Sequence, residues 1–205
     1  MSLERVFATI FSYLFHPIFL PTYSIVFLLW SNPYYFMPLN SPNAMVLLIN
    51  VILNSVLLPL LVMGILKQMK LIDDLKISER KQRAIPFLIS ILFMMWTYLV
   101  VVRLPFSEVI SDVVLGAFLS LMAAYMINVL YIKISLHTIG MGNLLAIVLV
   151  ASAISLYGLA GVFMFTVVLA GIVGTSRLIL QAHHPYEVYM GYMVGFVAQV
   201  VAFIL

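Results

Sequence analysis

Near its C-terminal end the chain reads SRLILQAHHPYEVYMG from Ser176 to Gly191. An arginine (Arg177), a histidine pair (His183 and His184) and a carboxylate (Glu187) fall within eleven residues there. A histidine four residues before a carboxylate lies on the same helical face, or at the helix start. The carboxylate can then fix the ring tautomer and stabilise the imidazolium, an arrangement that activates a histidine as a nucleophile. Pro185 suits the first position of a helix and puts Glu187 in its first turn, where the dipole favours negative charge. Two smaller polar stretches lie upstream. Lys67 to Arg83 holds Lys76 and Arg83 among Lys70, Arg80 and Lys81, and Lys133 to His137 holds Ser135 and His137. Two arginines and a lysine converging on one point suit a phosphate group, because guanidinium forks grip its oxygens in pairs and an ammonium adds a point charge. A second histidine offers a proton donor for a leaving oxygen.

The elements that must position these groups are close to hydrocarbon in character. Of 205 residues, 65% are hydrophobic and 8% charged, whereas a soluble domain is nearer half apolar and a quarter charged. No soluble core hides that much apolar surface. The expected fold is therefore all-α, a polytopic transmembrane bundle of six to seven spanning helices in a single domain covering residues 1–205. Runs of about 20 apolar residues mark seven candidates: Val6 to Trp30 (interrupted by Pro17 and Pro21), Ala44 to Leu66 (with Pro59 as a kink), Ile85 to Val102, Val109 to Ile132, His137 to Tyr157, Leu159 to Thr175 and Tyr186 to Leu205. The first run is too long for a cleavable signal and lacks a small-residue cleavage site. Two helices separate each polar stretch from the next, so helix parity alone brings all three to one face. Gly191 and Gly195 form a GxxxG step, and Gly140 and Gly142 open the fifth segment, all suited to close helix contact. The absence of cysteine excludes disulfides, thiol nucleophiles and cysteine-ligated metals.

In order along the chain, Lys76-x6-Arg83, Ile134-Ser135-Leu136-His137 and Ser176-Arg177-x5-His183-x3-Glu187 resemble the three motifs of the type-2 phosphatidic acid phosphatases: K-x6-R-P, P-S-G-H and S-R-x5-H-x3-D. The resemblance covers about residues 76–190. It implies that Lys76, Arg83 and Arg177 hold the phosphoryl oxygens and that Ser135 hydrogen-bonds the phosphate. His183 would be the nucleophile, passing through a phosphohistidine, with Glu187 orienting it and His137 protonating the leaving group. It implies no metal and no other cofactor, since fixed positive charge serves the transferring phosphoryl. The chain departs from the pattern at four positions. Ala84 replaces proline, Ile134 and Leu136 replace the proline and glycine of the second motif, and Glu187 replaces aspartate.

The expected activity is that of a membrane lipid phosphatase acting on a phosphate monoester or pyrophosphate of a lipid: phosphatidic acid, phosphatidylglycerol phosphate, a polyprenyl diphosphate or a lipid A relative. The alternatives are a lipid phosphotransferase and a non-catalytic relative that binds or moves an anionic lipid. The expected partners are the lipid phosphate and membrane lipids, not nucleic acid. The expected location is a bacterial plasma membrane. Of the ten Lys and Arg residues only Arg103 falls on the face opposite the motifs, so the positive-inside rule puts the motif face in the cytoplasm. The remaining polar residues have plainer readings. Asp73 and Asp74 solvate a loop or pair with lysines, and His184 is the spare of its pair. Glu108 and Asp112 are structural, with Arg103 near enough to pair with them. His16, beside Pro17 in an apolar run, lines a cavity or bonds a neighbouring helix, with contact to the substrate as the lesser alternative.

Overall fold

The computed structural model describes residues 2–32, 36, 40–73, 81–154 and 158–205. Among these the secondary structure is helical, and we number eight helices: α1 Leu3–Leu14, α2 Leu20–Ser31, α3 Pro42–Gln68, α4 Ala84–Val101, α5 Glu108–Leu130, α6 Leu136–Ile154, α7 Ala160–Ile179 and α8 Pro185–Ala202. Five of them, α3 to α7, are long and apolar enough to cross a membrane. The outward surface is apolar as well: Trp96 is 60% exposed, Phe165 62% and Met193 65%. Apolar groups on both the inside and the outside fit an integral membrane protein, because only lipid makes such a surface inexpensive.

Two expected spans differ from the helices found. The first, Val6 to Trp30, is not one helix but two of 12 residues each, joined by a turn through Phe15 to Phe19. At 1.5 Å per residue each is only about 18 Å long, short of the roughly 30 Å of bilayer hydrocarbon. Proline supplies the reason. Pro17 has no N–H and restricts His16 before it, and Pro21 sits in the opening turn of α2, where a missing N–H is harmless. In the turn the His16 N–H reaches the Tyr13 carbonyl at 3.3 Å and the Phe19 N–H reaches the His16 carbonyl at 2.9 Å. The last expected span is α8, whose 18 residues include Glu187 and Gln199, both buried. It is less apolar than the five, with an exposed face that includes Tyr189 and Met193.

The third helix keeps its proline by widening. Residues Leu53–Leu57 form a π turn just ahead of Pro59, which makes room where the proline ring would strike the carbonyl of the preceding turn. The Asn54 side chain, one turn after Asn50, donates to the Asn50 carbonyl at 2.9 Å.

At the centre, α8 packs against α5 and α6. It runs parallel to α6, with Gly191 beside Ser135 and Thr138 and with Gly195 on the backbone of Ile139. A Cβ at Gly195 would overlap the Ile139 carbonyl and lie 3.0 Å from its Cα, and one at Gly191 would lie 2.8 Å from the Ser135 carbonyl oxygen. Glycine is what lets these backbones meet. A Cβ at Gly64 in α3, by contrast, meets nothing within 4 Å. Gly195→Ala is therefore expected to cost about 1–3 kcal/mol by overpacking and to lower the melting temperature in detergent, while Gly64→Ala leaves it unchanged or higher. Equal melting temperatures for the two variants would refute the backbone contact.

Candidate active site

Five segments bring their ends to one end of the bundle. These are the α1–α2 turn, the start of α4, the link from α5 to α6, the last turn of α7 and the start of α8. The polar residues of three separate sequence stretches meet there. The Arg83 Nη1 reaches the Ile134 carbonyl at 3.5 Å, and the His183 Nδ1 reaches the Lys133 carbonyl at 3.2 Å.

The pair at the centre is His183 and Glu187. Both are buried, at 8% and 5% exposed, and Nδ1 of the histidine lies 2.9 Å from Oε2 of the glutamate. That same oxygen accepts the backbone N–H of His184 at 3.1 Å, so Glu187 closes the first turn of α8 while it holds the ring. Both neighbours of Nδ1, a carboxylate and a carbonyl, can only accept. Nδ1 must therefore carry the proton, which leaves the lone pair of the neutral ring on Nε2. His184 caps α8, and its ring stacks on Tyr186 at 5.7 Å between centroids.

Positive charge surrounds this pair. Arg177 stands in the last turn of α7, which runs one turn further than the apolar pattern indicates, to Ile179. A cation there is favoured by the helix dipole. Arg83 precedes the first residue of α4. The field of each guanidinium reaches the other and reaches His183, and Glu187 is the carboxylate within range of Arg83 and His183 among the described residues. Burial pulls the His183 pKa down to about 4; the Glu187 hydrogen bond opposes this and the two arginines add to it. Burial likewise lowers the Arg83 pKa, and Glu187 opposes that shift. Lys76 lies outside the described residues, as do Asp74 and Arg80. Asp73 accepts the Gln82 side-chain amide at 2.5 Å.

In the second motif the two departures are absorbed by the core. Ile134 is fully buried, and Leu136 packs beside it in a cluster with Phe87, Ala124 and Ile139. Between them Ser135 is buried, and its hydroxyl makes no hydrogen bond among the described residues. Its backbone N–H is 3.5 Å from the Glu187 carbonyl. An unpartnered hydroxyl and the unpartnered Nε of Arg177 are uncommon in a buried setting, and both are donors.

The N-terminal hairpin adds two residues that no motif points to. Ser12, buried on the inner face of α1, accepts Arg177 Nη1 on its hydroxyl at 3.1 Å and the His137 Nε2 proton on its carbonyl at 3.0 Å. His16, in the following turn, sets its ring 5.3 Å from the His137 ring in a T-shaped arrangement. Arg177 is within electrostatic range of His16, His137 and His183 alike. The sequence signal for His16 was its polarity in an otherwise apolar run, which demands a polar neighbour but does not name one.

Two hollows border the site. A cavity of about 600 Å³ is lined by Lys133, Gln181, His183, His184 and Glu187, and an apolar groove of about 540 Å³ runs between α1 and α7 and reaches Ser176. No group of three or more acidic or histidine residues could hold a metal among the described residues.

No family model, curated protein or solved structure matches this chain.

The depressed His183 pKa couples pH to stability with a definite sign. Between about 4 and its ordinary value of 6.5 the unfolded chain binds a proton that the folded chain refuses, so stability falls as pH falls through that window. The melting temperature in detergent is expected to drop from pH 6.5 towards pH 4 more steeply for the wild type than for His183→Asn. Parallel curves would show that the ring titrates normally.

Proposed function

We propose that this protein is an integral membrane lipid phosphatase working through a phosphohistidine, as its likeness to the type-2 phosphatidic acid phosphatases implies. The observation that carries the reading is the tautomer of His183: two acceptors hold the proton on Nδ1, and the Nε2 lone pair is left beside two guanidinium groups. A neutral imidazole of this kind is a nucleophile at ordinary pH, and Glu187 stabilises the positive charge that the ring acquires on attack.

Arg83 and Arg177 grip the phosphoryl oxygens, and the Ser135 hydroxyl and the Arg177 Nε gain the partner they lack among the described residues. Lys76 joins them by the resemblance. The His183 Nε2 forms a bond to phosphorus as the bond to the leaving oxygen breaks, and water then releases phosphate and restores the ring. Stabilisation of the transferring group comes from fixed cations rather than a metal. The head group occupies the polar cavity beside His183, and the lipid chain extends between helices. The apolar groove supports this, since its lining includes Ser176, next to Arg177. In the membrane, α3 to α8 make six crossings and the α1–α2 hairpin enters from the site end. The basic residues gathered at that end support a cytoplasmic orientation.

The test is phosphate release by purified protein in detergent, with chelator present, from a panel of lipid phosphate monoesters and diphosphates. Release that persists in chelator, disappears in His183→Ala and weakens in Arg177→Lys (which cannot make the bidentate contact) is the expected outcome. Transfer to an added alcohol in place of release would identify a phosphotransferase. Binding without turnover of any panel member would overturn the enzymatic reading.

A further inference from the structure

Three histidines meet at the site, and their hydrogen bonds leave them in three different states. His183 has its N–H committed to Glu187 and Lys133, with Nε2 available as a lone pair. His137 has its Nε2 proton committed to the Ser12 carbonyl at 3.0 Å, and the ring is 9% exposed. A carbonyl can only accept, so that proton is held for the fold. His16 is the opposite case. Its Nδ1 faces the Ile18 backbone N–H at 3.5 Å, which points Nε2 away from its own turn, and no described residue bonds that nitrogen. The ring is half-buried against His137 and within the field of Arg177.

We propose that His16, carried by the α1–α2 hairpin, is the proton donor to the leaving oxygen, and that His137 is a positioning residue that fixes the hairpin through Ser12. The proposal rests on the phosphoryl-transfer reading above. Arg177 and His137 both hold Ser12, the residue one turn ahead of His16. The cation that grips the phosphate therefore also sets the distance of the donor. With Nδ1 accepting the Ile18 N–H, the neutral ring already carries its proton on Nε2. A phosphate monoester binding as its monoanion brings a second proton, which reaches Nδ1 through solvent as the long Ile18 contact is given up. The adjacent dianion stabilises the imidazolium, whose Nε2–H faces the leaving oxygen. In the first step the His183 Nε2–phosphorus bond forms, the phosphorus–oxygen bond to the leaving group breaks with its electron pair going to oxygen, and His16 gives that oxygen its proton. In the second step water attacks phosphorus, the nitrogen–phosphorus pair returns to His183, and His16 takes the proton from water. The balance needs no co-reactant besides water.

The experiment compares two esters bearing the same alkyl chain: an alkyl phosphate, whose alkoxide leaves only when protonated, and a nitrophenyl phosphate, whose phenolate leaves unaided. His16→Asn and His16→Gln are expected to slow the alkyl ester about 10²–10³-fold, within the range for a lost general acid, and the aryl ester less than about 10-fold. Turnover of the aryl ester then doubles as proof of folding. His183→Ala abolishes both reactions. Equal loss on both esters in both His16 variants overturns the donor role, and so does an ester-selective loss in His137→Asn with none in the His16 variants. If the wild type releases phosphate from neither ester, the phosphatase reading itself falls, which is a different result from a wild type that works and a His16 variant without selectivity.

Discussion

Everything at the functional end of this bundle depends on placing the Arg177 guanidinium where water is scarce. A buried cation with poor solvation costs several kcal/mol unless neighbours compensate, and the chain has few polar groups to offer. It gathers them from remote segments, Ser12 from the first helix and the dipole at the end of α7, while Glu187 serves the neighbouring Arg83 and His183. The same demand explains why Glu187 uses a single oxygen twice, once for the His184 backbone and once for the His183 ring. Charge economy and helix capping coincide in that one residue.

Around this polar end the helices divide into a rigid part and an attached part. The rigid part is the seam of α6 and α8, where Gly195 meets the Ile139 backbone and Gly191 lies against the Ser135 carbonyl and the Thr138 side chain. Ser135, His137 and Glu187 all stand on or beside that seam, so their separations are set by main-chain contact rather than by side-chain packing. The attached part is α1. Its outward residues, including Leu3, Phe7, Ile10 and Leu14, are exposed and apolar, and its inner face offers only Ala8 and Ser12 for burial against α7. Its hold on the bundle is thus partly polar.

Much of this was legible from composition and spacing, for identifiable reasons. Continuous apolar runs without periodicity locate α3 to α7 within a few residues, because in lipid the length of a run is itself the signal. Pro185 and Glu187 mark the start of α8 through capping chemistry that is local by nature. The failures were long-range. Pro17 and Pro21 read as an interruption of one span, whereas the chain turns there between two short helices, with α2 packed against α3, α5 and α6. Leu136 stands where the second motif has glycine, and its side chain is drawn into a cluster with Phe87 and Ala124, a contact no motif encodes. Ser12 and His16 carry no spacing signature because their partners are set by the fold alone.

The two bonds to Ser12 also bear on how the protein is made. They join it to residues 125 and 165 positions further along the chain. During synthesis the α1–α2 hairpin emerges well before His137 and Arg177, its polar partners. For most of translation, then, Ser12 and His16 can satisfy their polar atoms only in the headgroup layer, and the short amphipathic α1 is suited to wait there. The hairpin docks when α7 and α8 arrive. Completion of the site therefore waits for α7 and α8, and a chain stopped short of α7 would hold an intact set of preceding helices with no assembled charge cluster.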